Sequence, residues 1–287
     1  MPEMPEVESL RSFLSERAVG RVVARAELTA FSALKTFDPP LSALHGLEVT
    51  GVHRYGKFLA LDVDGVWLVT HLARAGWLRW RESIPPTPAR PGKGPLALRV
   101  VLDDDSGFDL TEAGTQRKLA VYVVTDPHQV PGIASLGPDP TAPEFGRPEL
   151  DAVLEAAGRA QLKGVLRDQR VLAGIGNAYS DEILHAARMS PFKASSSLTD
   201  EERDVLLAAI RSELADAVQR SAGMAAKDLK GEKKSGMAVH GRAGQPCPVC
   251  GDTVAEVSFA DSSMQYCPTC QTGGKKLADR RMSRLLK

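Results

Sequence analysis

The chain has no apolar run of the length that spans a membrane, and no basic stretch followed by an apolar one at its start. It therefore predicts neither a transmembrane helix nor a secretory signal. It carries no net charge, with 36 Lys and Arg against 36 Asp and Glu, so bulk composition gives no hint of a nucleic-acid partner. It has no long internal repeat, which excludes a solenoid or propeller. It has no cysteine before residue 247, so all cysteine chemistry belongs to the C-terminal portion. What remains is an ordinary globular composition in 287 residues, long enough for two domains with their own cores.

The zero net charge hides local excess. From Gln271 to Lys287, Lys275, Lys276, Arg280, Arg281, Arg284 and Lys287 face only Asp279. From Gly223 to Gly244, Lys227, Lys230, Lys233, Lys234 and Arg242 face Asp228 and Glu232. A local basic surface suits a phosphate backbone, although each run alone also reads as a solvated face.

Residues 20–135 read mostly as short strands rich in Val and Leu, as in GRVVARAEL, GLEVTGVHRY, KFLALDVDGVWLVTHL, ALRVVLDDD and KLAVYVVTD. Such spacing predicts a β-sandwich or barrel. The loop IPPTPARPGKGP (84–95) carries five prolines and reads as extended. A second Pro/Gly-rich stretch, GPDPTAPEFGRPEL (137–150), reads as a linker. Beyond it ELDAVLEAAG, QLKGVLRDQR and SDEILHAARM place apolar residues at helical spacing. Thr199-Asp200-Glu201-Glu202 forms a capping box ahead of a long helix. The chain thus divides into an N-terminal domain (1–136), a linker (137–150), a helical domain (151–236) and a cysteine-bearing module with a basic tail (237–287).

The cysteines read Cys247-Pro-Val-Cys250 and Cys267-Pro-Thr-Cys270, sixteen residues apart. This is the spacing of a four-thiolate zinc ribbon. Two structural disulfides are the alternative, but nothing marks the chain as exported. With four protein ligands and no open position, one Zn2+ here is structural.

Two further stretches invite explanation. Gly174-Ile175-Gly176-Asn177 lies between helical segments, so its backbone amides at a helix start can receive a phosphate. At the other end, Met1-Pro2-Glu3-Met4-Pro5-Glu6-Val7-Glu8 crowds two prolines and three glutamates together. Proline suits a first helical turn and glutamates suit its dipole, so a helix from about Pro5 is the plain reading.

Taken in order, PE.PEVE, GKFL near residue 57, AGIGNAYSDEIL and CPVC…CPTCQ resemble the formamidopyrimidine-DNA glycosylase / endonuclease VIII family. The resemblance covers nearly the whole chain. It implies an α+β, multidomain fold: an N-terminal β-sandwich with an N-terminal helix, then a helix–two-turn–helix domain with a zinc finger, and DNA in the cleft between them. It implies a bifunctional DNA glycosylase/AP lyase of base excision repair. It also implies double-stranded DNA with damaged bases or abasic sites as partner, a monomer, and the bacterial cytosol as location. By the same resemblance Met1 is removed and the Pro2 amine becomes the nucleophile. An α-amino group titrates near about 7.7–8.0, well below a lysine's ~10.4, and so is partly neutral at pH 7. Glu3 is then the general acid/base, its pKa raised if buried, and Glu6 orients the site. Lys57 contacts phosphates beside the lesion, with His71, Gly176 and Asn177 near the DNA.

Three departures from the family pattern stand out. Arg74 occupies the methionine position of HLGMSG. The region of the DPRRFG loop reads Asp109 to Lys118, without its arginine and phenylalanine in place. Ser262 stands where the finger arginine is expected, five residues before Cys267. Arg74 is expected to stack or hydrogen-bond in the methionine's place. Arg242, Lys275 or Lys276 are expected to replace the lost phosphate contact. An AP lyase with little glycosylase activity, or a non-catalytic binder of damaged DNA, are the alternatives these departures leave open.

Overall fold

Short Val- and Leu-rich runs broken at Gly56-Lys57 and Asp64-Gly65 make the first sheet. In the computed structural model, which describes residues 1–92, 94–114, 116–259 and 262–278, β2 (Val49–Tyr55), β3 (Phe58–Val63), β4 (Val66–His71) and β8 (Ala120–Val124) form one antiparallel sheet in that order. A second antiparallel sheet runs β1 (Val23–Leu28), β6 (Leu96–Leu102), β7 (Gly107–Glu112) and β5 (Gly76–Arg81). Leu59, Leu61, Leu68, Val121 and Val123 of the first sheet share one core with Leu78, Leu98, Val100 and Leu110 of the second. This is a sandwich, one of the two architectures the strand pattern leaves open and the one the family resemblance implies. Helix α1 (Met4–Ala18) adds Val7, Leu10 and Leu14 to that core, each no more than 1% exposed. The other face of the first sheet is covered too. There Val130 and Ile133, at the start of the short α2 (Pro131–Ala134), pack against Ala60 and Val69.

The chain separates into two compact units. One holds residues 1–136 and 221–230, and the other residues 137–220 and 231–287. The segment 221–230, grouped by sequence with the helical domain, therefore packs in the first unit. Its Ala226 and Leu229 join the sandwich core, Trp77 Nε1–H donates to Ala226 O at 2.8 Å, and the Ser9 and Ser221 hydroxyls meet at 2.6 Å. The stretch 137–150 lies in the second unit and already contains the start of α3 (Arg147–Ala157).

The second unit continues with α4 (Leu162–Arg167), α5 (Asn177–Ala186) and α6 (Asp200–Ser221), whose last residue passes into the first unit. The capping box ahead of α6 is formed. Thr199 N–H donates to Glu202 Oε2 at 3.0 Å, and Glu202 N–H donates to Thr199 Oγ1 at 3.3 Å. A hairpin of β9 (Ala255–Ser258) and β10 (Ser263–Tyr266) carries the cysteine pairs on its flanks. No helix among the described residues is long and apolar enough to cross a membrane. Within the basic C-terminal run, Lys275 and Lys276 are described, whereas Arg280, Arg281, Arg284 and Lys287 lie outside the described residues.

Candidate active site and metal centre

The first unit gathers the N-terminal candidates around the start of α1. Pro2, Glu3 and Glu6 are all buried. Glu3 is the N-cap, in extended conformation, and its N–H donates to Glu6 Oε2 at 2.7 Å. Glu6 therefore fixes the backbone immediately after Pro2 by satisfying an orphan amide of the helix start. One turn on, Glu8 accepts Arg54 Nε at 2.9 Å, and the same guanidinium reaches Gly56 O at 3.3 Å. Arg54 so clips the β2–β3 turn, Gly56-Lys57, to the first turns of α1. Sequence reasoning misses both Glu8 and Arg54, since the pair is separated by 46 residues.

Lys57 is buried at 8% exposure and directly precedes Phe58, which pairs across the sheet with His71. The Phe58 and His71 rings lie 4.7 Å apart, tilted at 44° to each other. Burial, and then the Lys57 charge, push the His71 pKa down to about 4, so the imidazole is neutral at pH 7. The turn after His71 is tight. Ala73 adopts a left-handed φ of 52°, and a Cβ on Gly76 would lie 2.1 Å from Leu72 O, so only glycine fits there. Arg74 is displayed, exposed, on the tip of this turn.

The stretch read as the DPRRFG equivalent is only partly a loop. Asp109 to Glu112 lie inside β7. Asp109 is buried and accepts Arg99 Nε at 2.7 Å and Arg81 Nε at 3.2 Å. Glu112 accepts the N–H groups of Lys118 and Leu119 at 2.8 and 3.1 Å. The connection proper follows Glu112 and ends at Leu119, with Arg117 donating to Gly94 O at 3.0 Å.

In the second unit the glycine turn takes a definite shape. Gly174 has φ of 90°, which demands glycine, whereas Gly176, the N-cap of α5, is extended at −128°. Gln169, missed by sequence, stitches the turn. It accepts Gly174 N–H at 2.9 Å and donates to Ile175 O at 2.7 Å and Arg167 O at 2.8 Å. Asn177 opens α5, but its amide is turned to the hairpin, Nδ2 donating to Ser263 O at 2.7 Å. Its Oδ1 is buried without a partner. Arg242 is similarly engaged, with Gln245 Oε1 at 3.0 Å and Met237 O at 3.3 Å. Ser262 accepts Phe259 N–H at 2.7 Å through its carbonyl, directly before β10.

The buried face of α5 is a polar web. Asp181, fully buried, accepts Lys163 Nζ on one oxygen. Its other oxygen accepts His240 Nδ1–H at 2.7 Å and Gln265 N–H at 3.2 Å. Glu182 accepts three consecutive backbone amides, from Ala238, Val239 and His240. Burial still pushes its pKa up. His185 Nε2 lies 3.2 Å from Cys247 Sγ.

The four cysteines converge as their spacing predicts. They are free of disulfides, and their sulfurs all lie within 4.8 Å of one another. Cys250–Cys267 and Cys247–Cys270 are separated by 3.4 and 3.9 Å, close to the ~3.8 Å edge of a zinc tetrahedron with Zn–S near ~2.3 Å. Burial pushes Cys267 up to about 11, so a cation is what makes a four-thiolate cluster favourable here. The residues fit one structural Zn2+, with no open position for catalysis.

Known proteins show the same architecture. Residues 1–120 match the formamidopyrimidine-DNA glycosylase N-terminal domain, residues 136–228 the H2TH domain of that enzyme, and residues 244–273 the zinc finger found in FPG and IleRS. The formamidopyrimidine-DNA glycosylase of Symbiobacterium thermophilum is 36% identical over 281 residues, covering 94% of this chain and 89% of the relative. The crystal structure of the MutM (Fpg) protein from Thermus thermophilus superposes with a TM-score of 0.79 at 31% identity, over 96% of this chain and 100% of the other. A Mycobacterium tuberculosis protein, described as an uncharacterized formamidopyrimidine-DNA glycosylase-like protein, is 60% identical over 153 residues, which cover 53% of this chain and 95% of that one. The class is that of DNA glycosylases of base excision repair with AP lyase activity. Within it, this chain belongs to the formamidopyrimidine-DNA glycosylase family.

Proposed function

We propose that this chain excises damaged bases, oxidised ones foremost, from double-stranded DNA and nicks the resulting abasic site, with Pro2 as nucleophile and Glu3 as general acid/base. The observation that carries this reading is the frame around the helix start. Glu6 holds the Glu3 amide, and Arg54 ties the same helix to the Lys57 turn. Once Met1 is removed, the secondary amine of Pro2 attacks the sugar C1′ as the base departs. The iminium so formed acidifies the C2′ proton, and β-elimination breaks the strand. Glu3 moves these protons. Lys57, beside a neutral His71, holds the neighbouring phosphate by charge. Gly176, Asn177, Arg74 and Arg242 are further contacts to DNA, and a monomer in the bacterial cytosol is sufficient for the reaction.

A second reading, an AP lyase with weak base excision, is favoured by Arg74. A charged side chain sits on the tip where the family places the apolar group that fills the gap left by a flipped base. Borohydride trapping tests both readings, on protein whose intact mass confirms loss of Met1. A covalent band on an abasic duplex that vanishes when Pro2 is blocked establishes the amine chemistry. The same band on a duplex carrying an oxidised base selects the first reading, and its absence there selects the second. No band on either duplex, with tight binding, overturns both in favour of a non-catalytic binder.

A further inference from the structure

The first unit contains a cavity of about 520 Å³ whose lining includes none of Pro2, Glu3, Glu6, Lys57 or His71. Phe13 and Arg17 on its wall lie nine and thirteen residues along α1 from Met4, roughly 14–20 Å from the helix start at ~1.5 Å per residue. Its volume is that of a small-molecule site.

Its charge is one-sided. Arg17, Arg79, Arg81, Lys227 and Lys230 line it against a single carboxylate, Glu82. The fold does little to neutralise them. Arg81 reaches Asp109, but that carboxylate already accepts Arg99 through two nitrogens at 2.7 and 3.0 Å. Among the described residues Arg17 meets one carboxylate, the exposed Glu16 at 3.6 Å, and its guanidinium lies 4.1 Å over the Phe13 ring. Arg79, Lys227 and Lys230 have no carboxylate partner among the described residues. Lys230 sits instead 4.6 Å over the Trp77 ring, and burial together with Arg79 holds its pKa down. Like charges gathered in one concavity repel one another, and an anion relieves that repulsion.

Between the cations the wall is aromatic. Trp77 and Trp80, two of the chain's three tryptophans, line the same cavity, with Trp80 edge-on to Phe13 at 5.9 Å. The Trp80 indole N–H is buried without an acceptor among the described residues. The bond from Trp77 to Ala226 O anchors the segment that brings Lys227 and Lys230 to the wall. A bare anion needs no indoles, and the carboxylates of an acidic peptide carry no aromatic face of their own to set against them. Cations interleaved with tryptophan match a phosphate ester that carries an aromatic base.

We propose that this cavity is a second nucleotide site, distinct from the helix start, in which the phosphate of one nucleotide unit pairs with Arg79, Lys227 and Lys230 and its base packs against Trp80. The occupant is a free nucleoside monophosphate or one nucleotide of a single strand. Calorimetric titration of the full chain distinguishes these, using thymidine 5′-monophosphate, inorganic phosphate and a thymidine tetranucleotide as probes. The monophosphate is expected to bind more tightly than inorganic phosphate. An Arg79→Gln/Lys227→Gln variant, which alters two exposed side chains, is expected to weaken it by about tenfold or more, with borohydride trapping on a short abasic duplex unchanged. Tighter binding of the tetranucleotide, lost in that variant, identifies a strand; equal binding identifies the free nucleotide. The proposal is overturned if the monophosphate binds no better than inorganic phosphate, or if the double variant binds all three probes as the wild type does.

Discussion

The two units use buried polar groups in opposite ways. In the first, the candidate site residues stand at the ends of elements around an apolar core, and the buried Asp109 inside β7 is the exception, paired with Arg99. Glu3 and Glu6 begin a helix, Lys57 occupies a turn, and His71 closes a strand. In the second, they stand inside the packing. Lys163, Asp181, Glu182 and His240 join α4, α5 and the segment before the finger through charge and backbone amides. The sandwich can therefore tolerate a changed site residue and keep its shape. The second unit has its polar groups and its fold in the same atoms. The difference teaches that a carboxylate in a motif is not thereby catalytic. SDEIL carries two fully engaged carboxylates whose partners are all structural.

The largest expected effect follows from the metal. Zinc binding in small fingers is worth about 10–16 kcal/mol and is inseparable from folding. Stripping the ion with a chelator should therefore unfold the hairpin of β9 and β10 while the sandwich stays intact. Hydrogen exchange should show loss of protection at Met264 and Tyr266 and none at Leu59 or Leu98. Equal loss in both places would remove the distinction between the units.

Next come two carboxylates compared directly. Asp181→Asn places an amide donor against either the Lys163 ammonium or the His240 and Gln265 donors. Disrupting a buried pair in this way costs about 3–5 kcal/mol, read as a lower urea midpoint. Glu3→Gln should do the reverse, lowering base excision by about 10²–10⁴-fold with little change in that midpoint. A stability loss for Glu3→Gln as large as that for Asp181→Asn would make the helix start structural too.

A third test uses pH. The His71 pKa in the fold, about 4, lies below its ordinary 6.5, so the fold prefers the neutral ring. Its contribution is fully present above about 6.5 and is lost as pH falls from there toward about 4. The urea midpoint of the sandwich should therefore fall less steeply across this window in His71→Gln than in the wild type. Parallel curves would show that neither burial nor Lys57 acts on the ring.

Legibility followed the reach of each signal along the chain, not the divide between the units. The helix at Met4, the strands between residues 49 and 71, the capping box at Thr199 and the paired cysteines were all readable, because each signal is local: periodicity, cap chemistry or ligand spacing. Strand β7 was not, because Asp109 and Glu112 look like loop residues until Arg99 and the amides of Lys118 and Leu119 are seen to satisfy them. That the segment 221–230 packs into the sandwich core was not readable, because its short apolar pattern does not say which core it enters. The roles of Gln169 and Asp181 depend on side-chain direction and on partners as distant as His240, neither of which one sequence displays.

The smallest test separates backbone satisfaction from the polar web within the second unit. Helix α6 begins at an exposed box, Thr199 with Glu202, and buries Leu206, Ile210 and Leu214 further along. Thr199→Ala removes one acceptor from the helix start and leaves Lys163, Asp181 and Glu182 untouched. Water can reach the freed Glu202 amide, so the cost should be about 1 kcal/mol, within the ~0.5–2 kcal/mol range of such caps. Combined with Asp181→Asn, the two losses should add, since the residues share no partner. A cap effect as large as that of Asp181→Asn, or a strong departure from additivity, would mean that α6 and the web form one cooperative element, and that the second unit is stabilised by its helix ends as much as by its buried charges.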